Sequence, residues 1–580
     1  MATPNIVPRA DSEGGLGTSS KYWASAYIDT ITTTGSIGVG ITPASKLHVY
    51  QDVNSTDSSA GITVENDGTG DAVVQYLLTG TKRWVTGIDN SDSNNFKIAS
   101  SADLGTDTVL TLSTAGAAAF TGAVTATTYN GIPFYSDAAN NSMYTHDVSG
   151  TDSTAEENTA YGFLALDAIT TGDSNVAIGH SAGSGITTGS SNVAVGNKAM
   201  LSGAVSGDDN VAIGELAGNN IIGGAENIAI GTKALFTENN HGKNVAIGHQ
   251  SLQTLRAGAD GYNVAVGYNA GLAMTTGVQN TLIGGQAGDR LSTGSENTAV
   301  GYFSLSYENG HGKNTALGFK TLAVQDAGAD AYNVAIGHSA GLNVTTGIQN
   351  TLIGGLAGDA ITEGQRNVAI GYQALSSEDA HGRSVAVGYT SLFSQNAGTD
   401  SYNTAVGYAS GINVTTGTQN TIIGASAGDA LTTGARNIAI GYSALSSEDT
   451  GGRNVAIGRA ALEDLNAGTD AYNIAIGYEA GKEMTTGVRN TLIGGLAGDA
   501  LTTGNYNVAI GYSALSSEDA HGANVAIGYN TLASQNAGVD AYNVAVGFNS
   551  GQLISTGVQN TLIGGQAGDA LTSANNNVAI

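Results

Sequence analysis

The pentapeptide NVAIG at residues 175–179 is one copy of a phrase that recurs along most of the chain. With its first residue as place one, Asn stands there in 24 of 25 copies, the exception being Ser384, and every copy long enough has Gly at place five. The copies are mostly 17 residues apart. They begin at residues 158, 175, 192, 210, 227, 244, 263, 280, 297, 314, 333, 350, 367, 384, 403, 420, 437, 454, 473, 490, 507, 524, 543, 560 and 577. Self-similarity at a short, fixed period indicates a solenoid.

Each copy predicts a short β-strand followed by a turn. Val176 and Ile178, at places two and four, are β-branched and point to one side of an extended strand, whereas Ala177 at place three points to the other. Two apolar sides are typical of a strand covered on both faces. Gly179 at place five is expected to end the strand, because glycine tolerates positive φ. The density of Gly, Thr and Asn between the strands argues against helix.

Units this short must stack to bury their faces. We therefore predict an all-β fold with a parallel β-roll or β-solenoid of about 17 residues per coil over residues 151–580, in which Asn at place one forms an amide ladder. At about 4.8 Å per layer, 25 coils would rise roughly 120 Å. One apolar face would fill the interior. We expect the face lined by alanine to be covered by another copy of the chain, as in a homo-oligomer packed about its long axis.

A longer period of 70 residues overlies the short one. From residue 244 the spacings run 19, 17, 17 and 17 and then repeat, so that four coils make one block. Tandem duplication of such a block accounts for this pattern. We expect Asn and Gly at places one and five to carry the repeat, represented by Asn175 and Gly179, Asn263 and Gly267, Asn333 and Gly337, Asn403 and Gly407, Asn473 and Gly477, and Asn543 and Gly547.

The composition argues against several classes of partner. The 580 residues include no Cys, and 20 Lys and Arg face 48 Asp and Glu, for a net charge of −28. A nucleic acid or an anionic membrane would require a basic surface, so we expect neither as a partner. No run approaches 18 apolar residues, so we expect no membrane insertion. Residues 1–15 lack the basic and then apolar pattern of a Sec-type signal.

The NVAIG copies, each followed by a short Ala-rich stretch, resemble the head repeats of trimeric autotransporter adhesins. The same phrase is common in predicted fibre proteins of tailed bacteriophages. This resemblance covers residues 158–580 and implies a left-handed β-roll packed as a homotrimer. Nearer the start, GLGTSSKYW at residues 15–23 and SIGVGI at 36–41 resemble short elements of phage fibre proteins, the first of which lies close to the virion.

We divide the chain into an N-terminal virion-attachment segment, 1–45, a small β-rich domain with a linker, 46–150, and the repeat shaft, 151–580. Residues 73–78, 83–88 and 108–112 are the strand candidates of the small domain. The last copy stops one residue short of its expected Gly. Because an uncapped coil would expose a pairing edge, we expect the natural protein to continue beyond residue 580.

Residues 179–183 and 337–341 both read GHSAG and fit the G-x-S-x-G elbow of hydrolases. That elbow requires a strand leading into a helix, which the repeat does not predict. In coils of the same phase, the serine place holds Asn269, Ala409, Glu479 or Asn549 instead. We therefore interpret both serines as coil turns, and expect neither a catalytic residue nor an enzyme.

Histidines and carboxylates recur with the 70-residue block. Four coils separate neighbouring blocks, roughly 19 Å, so metal ligands from two blocks cannot meet. We interpret the histidines as exposed turns and the acids as solubilising groups, and expect no cofactor and no metal, with weak Ca²⁺ binding left open. The residues concerned are His241, His311, His381 and His521; Asp289, Asp359, Asp429, Asp499 and Asp569; and Asp260, Asp330, Asp400, Asp470 and Asp540.

Tyrosine is frequent at place six. A row of such rings forms either a packed ladder between coils, which we favour because aromatic rows stabilise β-structure, or an exposed stripe on which sugars stack. The members are Tyr268, Tyr302, Tyr372, Tyr389, Tyr408, Tyr442, Tyr478, Tyr512 and Tyr529.

Together these features predict a structural fibre of a tailed-phage virion. It would be a rigid trimeric shaft, assembled in the host cytoplasm, bound to other virion proteins through its N-terminal segment and supporting attachment to a host surface receptor through a distal region. The sequence specifies neither the receptor nor whether the fibre sits on the tail or the capsid. The first alternative is a bacterial trimeric surface adhesin or extracellular fibre that binds its target along the β-roll. A polysaccharide-degrading spike and an ice-binding solenoid are weaker alternatives.

Overall fold

The computed structural model describes residues 62–78, 83–122, 141–145 and 154–580, together with the backbone of Lys82 and of five short strands before residue 138. Every regular element among the described residues is a β-strand. The chain divides into two compact units, Met1–Ala126 and Thr127–Ile580. The predicted attachment segment, 1–45, lies outside the described residues except for one strand.

The first unit holds two small sheets. Strands β1 (Ile37–Val39) and β2 (Leu47–Val49) pair in parallel. An antiparallel sheet of five strands follows in chain order, and it includes all three strand candidates of the sequence analysis. Its strands are β3 (Ala72–Leu78), β4 (Lys82–Asp89), β5 (Asn95–Ala99), β6 (Thr108–Leu112) and β7 (Ala118–Phe120). Val85, Ala99 and Leu104 form its small core.

The second unit begins with short strands and continues as one parallel ladder. Strand β8 (Thr128–Tyr129) pairs with β9 (Ile132–Pro133), and β10 (Tyr135–Asp137) pairs antiparallel with β11 (Ser142–Tyr144). The strands that follow are β12 (Thr159–Tyr161), β13 (Val176–Ile178), β14 (Val193–Val195), β15 (Val211–Ile213), β16 (Ile228–Ile230), β17 (Val245–Ile247), β18 (Val264–Val266), β19 (Thr281–Ile283), β20 (Thr298–Val300), β21 (Thr315–Leu317), β22 (Val334–Ile336), β23 (Thr351–Ile353), β24 (Val368–Ile370), β25 (Val385–Val387), β26 (Thr404–Val406), β27 (Thr421–Ile423), β28 (Ile438–Ile440), β29 (Val455–Ile457), β30 (Ile474–Ile476), β31 (Thr491–Ile493), β32 (Val508–Ile510), β33 (Val525–Ile527), β34 (Val544–Val546), β35 (Thr561–Ile563) and β36 (Val578–Ala579).

Each of these 25 strands begins at place two of a repeat and pairs in parallel with its neighbour. The register keeps equivalent places opposite one another, as in Val176 with Val193 and Ala177 with Ala194. The predicted parallel β-solenoid of about 17 residues per coil is therefore confirmed. An in-register ladder stacks like on like, which explains why the same phrase recurs in every coil.

The interior corrects one sequence-based expectation. Alanine at place three, expected to face another copy of the chain, lies inside the solenoid; Ala177, for example, is 0% exposed. Three-residue strands leave a narrow interior that apolar groups from the turns also enter. Where place three is Leu282, place nine is Gly288, whose Cβ would lie 2.9 Å from the leucine side chain; where place three is Ala299, place nine is the buried Leu305. The two places share one volume, as close packing requires.

Candidate interaction surface

The side of the strands that faces outward carries places two and four. These places hold Val, Ile, Thr, Leu or Tyr in all 25 repeats and no charged residue, in a chain with 68 charged side chains. They are partly exposed: Ile178, Ile283 and Leu317 leave 42%, 38% and 43% of their surface to solvent. The outward face is thus a continuous, uncharged and mostly β-branched stripe along the ladder.

Aromatic rings at place six follow the stripe and stack from coil to coil. The centroids of Tyr372 and Tyr389 lie 5.6 Å apart and those of Tyr389 and Tyr408 lie 5.4 Å apart, with planes within 19° of parallel. Each ring remains about half exposed. The coil after this stack has Ala425 at place six, and other blocks have a glycine there, such as Gly355. The row therefore combines the predicted ladder contacts with partial exposure of each ring.

A second row of tyrosines lies at the residue before place one. Lys243 donates to Asp260 at 2.8 Å and to the hydroxyl of Tyr262 at 3.2 Å, and its ammonium lies over that ring. Hydrogen bonds from this lysine lower the pKa of Asp260. Because Asp260 also accepts the backbone N–H of Gly242, the group fastens one coil to the next. The structure thus gives these predicted solubilising acids an additional role in holding turns. Related groups form around Asp330, Asp400 and Asp470.

The asparagines at place one lie inside the solenoid. Asn263, Asn333, Asn403, Asn473 and Asn543 are all 0% exposed. The side-chain oxygen of one asparagine accepts the backbone N–H of the next, as between Asn403 and Asn420 at 2.8 Å, and each of these five amides donates to a carbonyl 14 residues on. Glycines at place five, including Gly179, Gly267, Gly337, Gly407, Gly477 and Gly547, stack at φ between 131° and 145°. Both sets hold neighbouring coils together, the asparagines from inside the solenoid.

The one coil without asparagine has a substitute that sequence analysis missed. The Ser384 hydroxyl bonds to that of Ser401 and accepts from Gln395 at 2.7 Å. Ser401 in turn accepts the backbone N–H of Asn403, a bond that the asparagine ladder supplies elsewhere. Ser401 itself was the signal in the sequence, because the equivalent positions in other blocks hold Gly261, Ala331, Ala471 and Ala541.

Comparisons with known protein families, with curated proteins and with solved structures found no match for this chain. In the part of the chain that the structure describes, no helix has the length and hydropathy needed to cross a membrane.

The two serines of the G-x-S-x-G matches lie at place seven of their coils. Ser181 and Ser339 are 5% and 4% exposed and have φ of 54°. The Ser181 hydroxyl lies 3.3 Å from Nδ1 of His180. The following residues form a turn and not the helix that a nucleophile elbow requires. The geometry is that of a coil turn with little access for a substrate.

Buried glutamates at place twelve are the residues that sequence analysis overlooked. They are Glu238, Glu308, Glu378, Glu448 and Glu518, all 0% exposed. Burial raises the pKa of each carboxyl, to about 7 at Glu518. The signal was their spacing, since in four of the five blocks a histidine of the predicted exposed turn follows three residues later.

Proposed function

We propose that this protein is a structural fibre of a tailed-phage virion whose solenoid associates as a homotrimer. The observation that carries the proposal is the uncharged, mostly β-branched stripe on the outward side of 25 consecutive strands. Extended apolar surfaces of this kind mark interaction sites. A fibrous β-solenoid is compatible with a structural protein and provides a stiff support.

The periodicity of the stripe indicates which partner fits it. Its side chains repeat at the spacing of the strand ladder, about 4.8 Å, over the whole solenoid. A partner must match that spacing over many layers to bury the stripe, and a parallel copy of the same chain does so at every coil. In closed cyclic symmetry, the outward stripe of every copy is buried against the other copies, so no stripe stays exposed.

Attachment to a virion is proposed from the sequence. The resemblance of residues 15–23 and 36–41 to elements of phage fibre proteins supports an N-terminal anchor on other virion proteins. The low proportion of charged residues and the repeating coil support a shaft that holds a distal receptor-binding region away from the particle. Neither the receptor nor a catalytic activity enters this proposal.

The test is the solution mass of the full chain by light scattering. We expect three times the chain mass of 57.9 kDa. A single-chain mass at micromolar concentration would overturn the trimeric shaft. Immunogold labelling of purified phage particles with an antibody against residues 62–122 tests attachment to the virion separately. Particles that carry no label and contain none of the protein would overturn the proposed attachment.

The exposed tyrosine stacks favour one second candidate, a surface fibre that binds glycans along the roll. Aromatic rings that reach solvent are contact surfaces for sugars, and Tyr372, Tyr389 and Tyr408 are 46%, 48% and 60% exposed even though their rings stack on one another. A glycan array probed with the wild-type chain and with a triple alanine variant at these positions distinguishes the candidates. Binding that the variant loses supports an adhesin, and absence of binding supports the shaft.

A further inference from the structure

A Glu-x-x-His turn recurs in four of the five 70-residue blocks. The pairs are Glu238 with His241, Glu308 with His311, Glu378 with His381, and Glu518 with His521. The fifth block has Glu448 followed by Gly451 in place of histidine. The chain therefore contains its own variant of the turn without the imidazole.

The two side chains of each pair approach without bonding. The distance from Nδ1 of the histidine to Oε1 of the glutamate is 3.9, 3.8, 3.9 and 3.9 Å in the four turns, beyond hydrogen-bond length. Each glutamate is completely buried, and each Nδ1 is buried with no hydrogen-bond partner. A buried polar atom without a partner costs free energy, which a bound ion at these nitrogens would recover.

A third ligand completes three of the turns. Asp326 joins Glu308 and His311, Asp379 joins Glu378 and His381, and Asp519 joins Glu518 and His521, with ligand atoms within 4.8 Å of one another. In the first block, Asn239 and Arg256 occupy the positions equivalent to these acids.

We propose that these three turns each bind a divalent transition-metal ion, with Zn²⁺ as the best match. One imidazole nitrogen and carboxylate oxygens form a ligand set that zinc accepts, whereas Ca²⁺ and Mg²⁺ prefer oxygen alone. Two ligands of tetrahedral zinc lie about 3.4 Å apart, so each pair closes by about half an ångström on binding.

The remaining bonds of the glutamate leave room for the ion. Oε1 of Glu308 accepts the backbone N–H of His311 at 3.2 Å and Oε2 accepts from Gln325 at 3.1 Å. A carboxylate oxygen has two lone pairs, so Oε1 keeps one directed away from the backbone. At Glu518, Oε2 has no hydrogen-bond partner.

The experiment is calorimetric titration of the full chain, freed of metal by chelation, with ZnCl₂. We expect about three ions per chain and a rise in melting temperature. The variant His311→Gln/His381→Gln/His521→Gln should bind none at these sites. The matched control is His249→Gln/His338→Gln, because these histidines stack on Tyr268 and Phe319 and belong to no described ligand group. The control should still bind three ions.

A gain-of-site variant keeps the test informative if the triple variant misfolds. Gly451→His places an imidazole beside Glu448 and Asp449. A Cβ at this position would lie 2.5 Å from Oε1 of Glu448, so the carboxylate has to turn aside, and the variant should then raise the count by one ion per chain. The proposal is overturned if the wild type binds no zinc, if the folded triple variant binds as much as the wild type, if the control loses the same ions, or if the folded Gly451→His variant adds none.

Discussion

Two constraints require glycine at place five: its positive φ and its close contact with the backbone of the next coil. At Gly337, φ is 132°, and a Cβ would lie 2.5 Å from the carbonyl oxygen of Gly354 in the next coil. Most place-five glycines have the same contact, so they form a column along the solenoid. A side chain there would oppose both the turn and the stacking of coils at strand distance.

We predict that Gly337→Ala lowers local stability by about 3 kcal/mol, because backbone strain and overpacking each cost about 1–3 kcal/mol. Native-state hydrogen exchange over residues 315–371 measures this, since repeat proteins unfold locally. Gly258→Ala is the control: its Cβ would meet nothing within 4 Å and its φ is not positive, so a change within about 0.5 kcal/mol is expected. Equal losses in both variants would contradict the argument.

Asp499 makes stability depend on pH. Burial raises its pKa to about 6, and its Oδ1 has no hydrogen-bond partner. A raised folded-state pKa means that the folded chain binds the proton more tightly. The stabilisation is thus fully present below pH about 4 and is lost as pH rises through about 6. We predict that Asp499→Asn is more stable than wild type at pH 8, by on the order of 1 kcal/mol after solvent screening, and equal to it at pH 4.

The control for this prediction is Asp359→Asn at the same place of another block. Asp359 accepts a hydrogen bond from Ser376 at 2.6 Å, and this bond stabilises the ionised carboxylate at pH 8. Its variant should gain no stability there. Thermal melts of both variants between pH 4 and 8 provide the comparison, and a pH-independent effect of Asp499→Asn would refute the role of its carboxyl.

At the scale of one coil, the strand was predictable and the turns were not. The NVAIG phrase specified a three-residue strand because its alternation and its terminal glycine act locally. The left-handed backbone conformation of several turn residues was not predictable. Asn269, Gln279 and Leu305 have φ of 56°, 60° and 51°, although none is glycine. Their N–H groups donate to carbonyls of adjacent coils, for example Gln279 to Gly261 at 2.7 Å. Contacts between coils override the local preference of these residues.

The serine substitute in the asparagine ladder provides a test at the same scale. Ser401→Ala removes an acceptor from the buried N–H of Asn403 and the partner of the Ser384 hydroxyl. We predict a loss of about 1–2 kcal/mol, the cost of unsatisfied buried groups. The double variant Ser384→Asn/Ser401→Ala recreates the Asn314 and Ala331 combination of the preceding block and should regain most of it. Hydrogen exchange at residues 384–420 measures both, and a double variant as weak as the single one would contradict the ladder account.

At the scale of the whole molecule, sequence periodicity predicted the stacking but assigned the faces incorrectly. Alternation shows that two faces differ; it does not show which one is inside. That depends on how much volume the turns place in the interior, where Ile169, Ile186 and Leu235 take the space that larger strand residues would need. Val, Ile and Thr at places two and four therefore face outward. The predicted self-association of the shaft consequently rests on this larger stripe and no longer on alanine.

The last prediction concerns charged substitutions on the outward stripe. Ile353→Asp, Ile370→Asp and Val387→Asp would introduce charges at place four of three consecutive coils, where an apolar partner would have to desolvate them. We predict a light-scattering mass of one chain and an unchanged circular dichroism spectrum, because these side chains are partly exposed within the single solenoid.

The control introduces three charges on another side, at the exposed Thr346, Thr416 and Thr433. These Thr→Asp changes should leave the mass at three chains, since they do not touch the stripe. The comparison separates burial of one face from a general effect of negative charge on a chain that already carries a net charge of −28. If the stripe variant stayed trimeric, copies of the chain would have to meet through another surface, and the stripe would be free for a different partner.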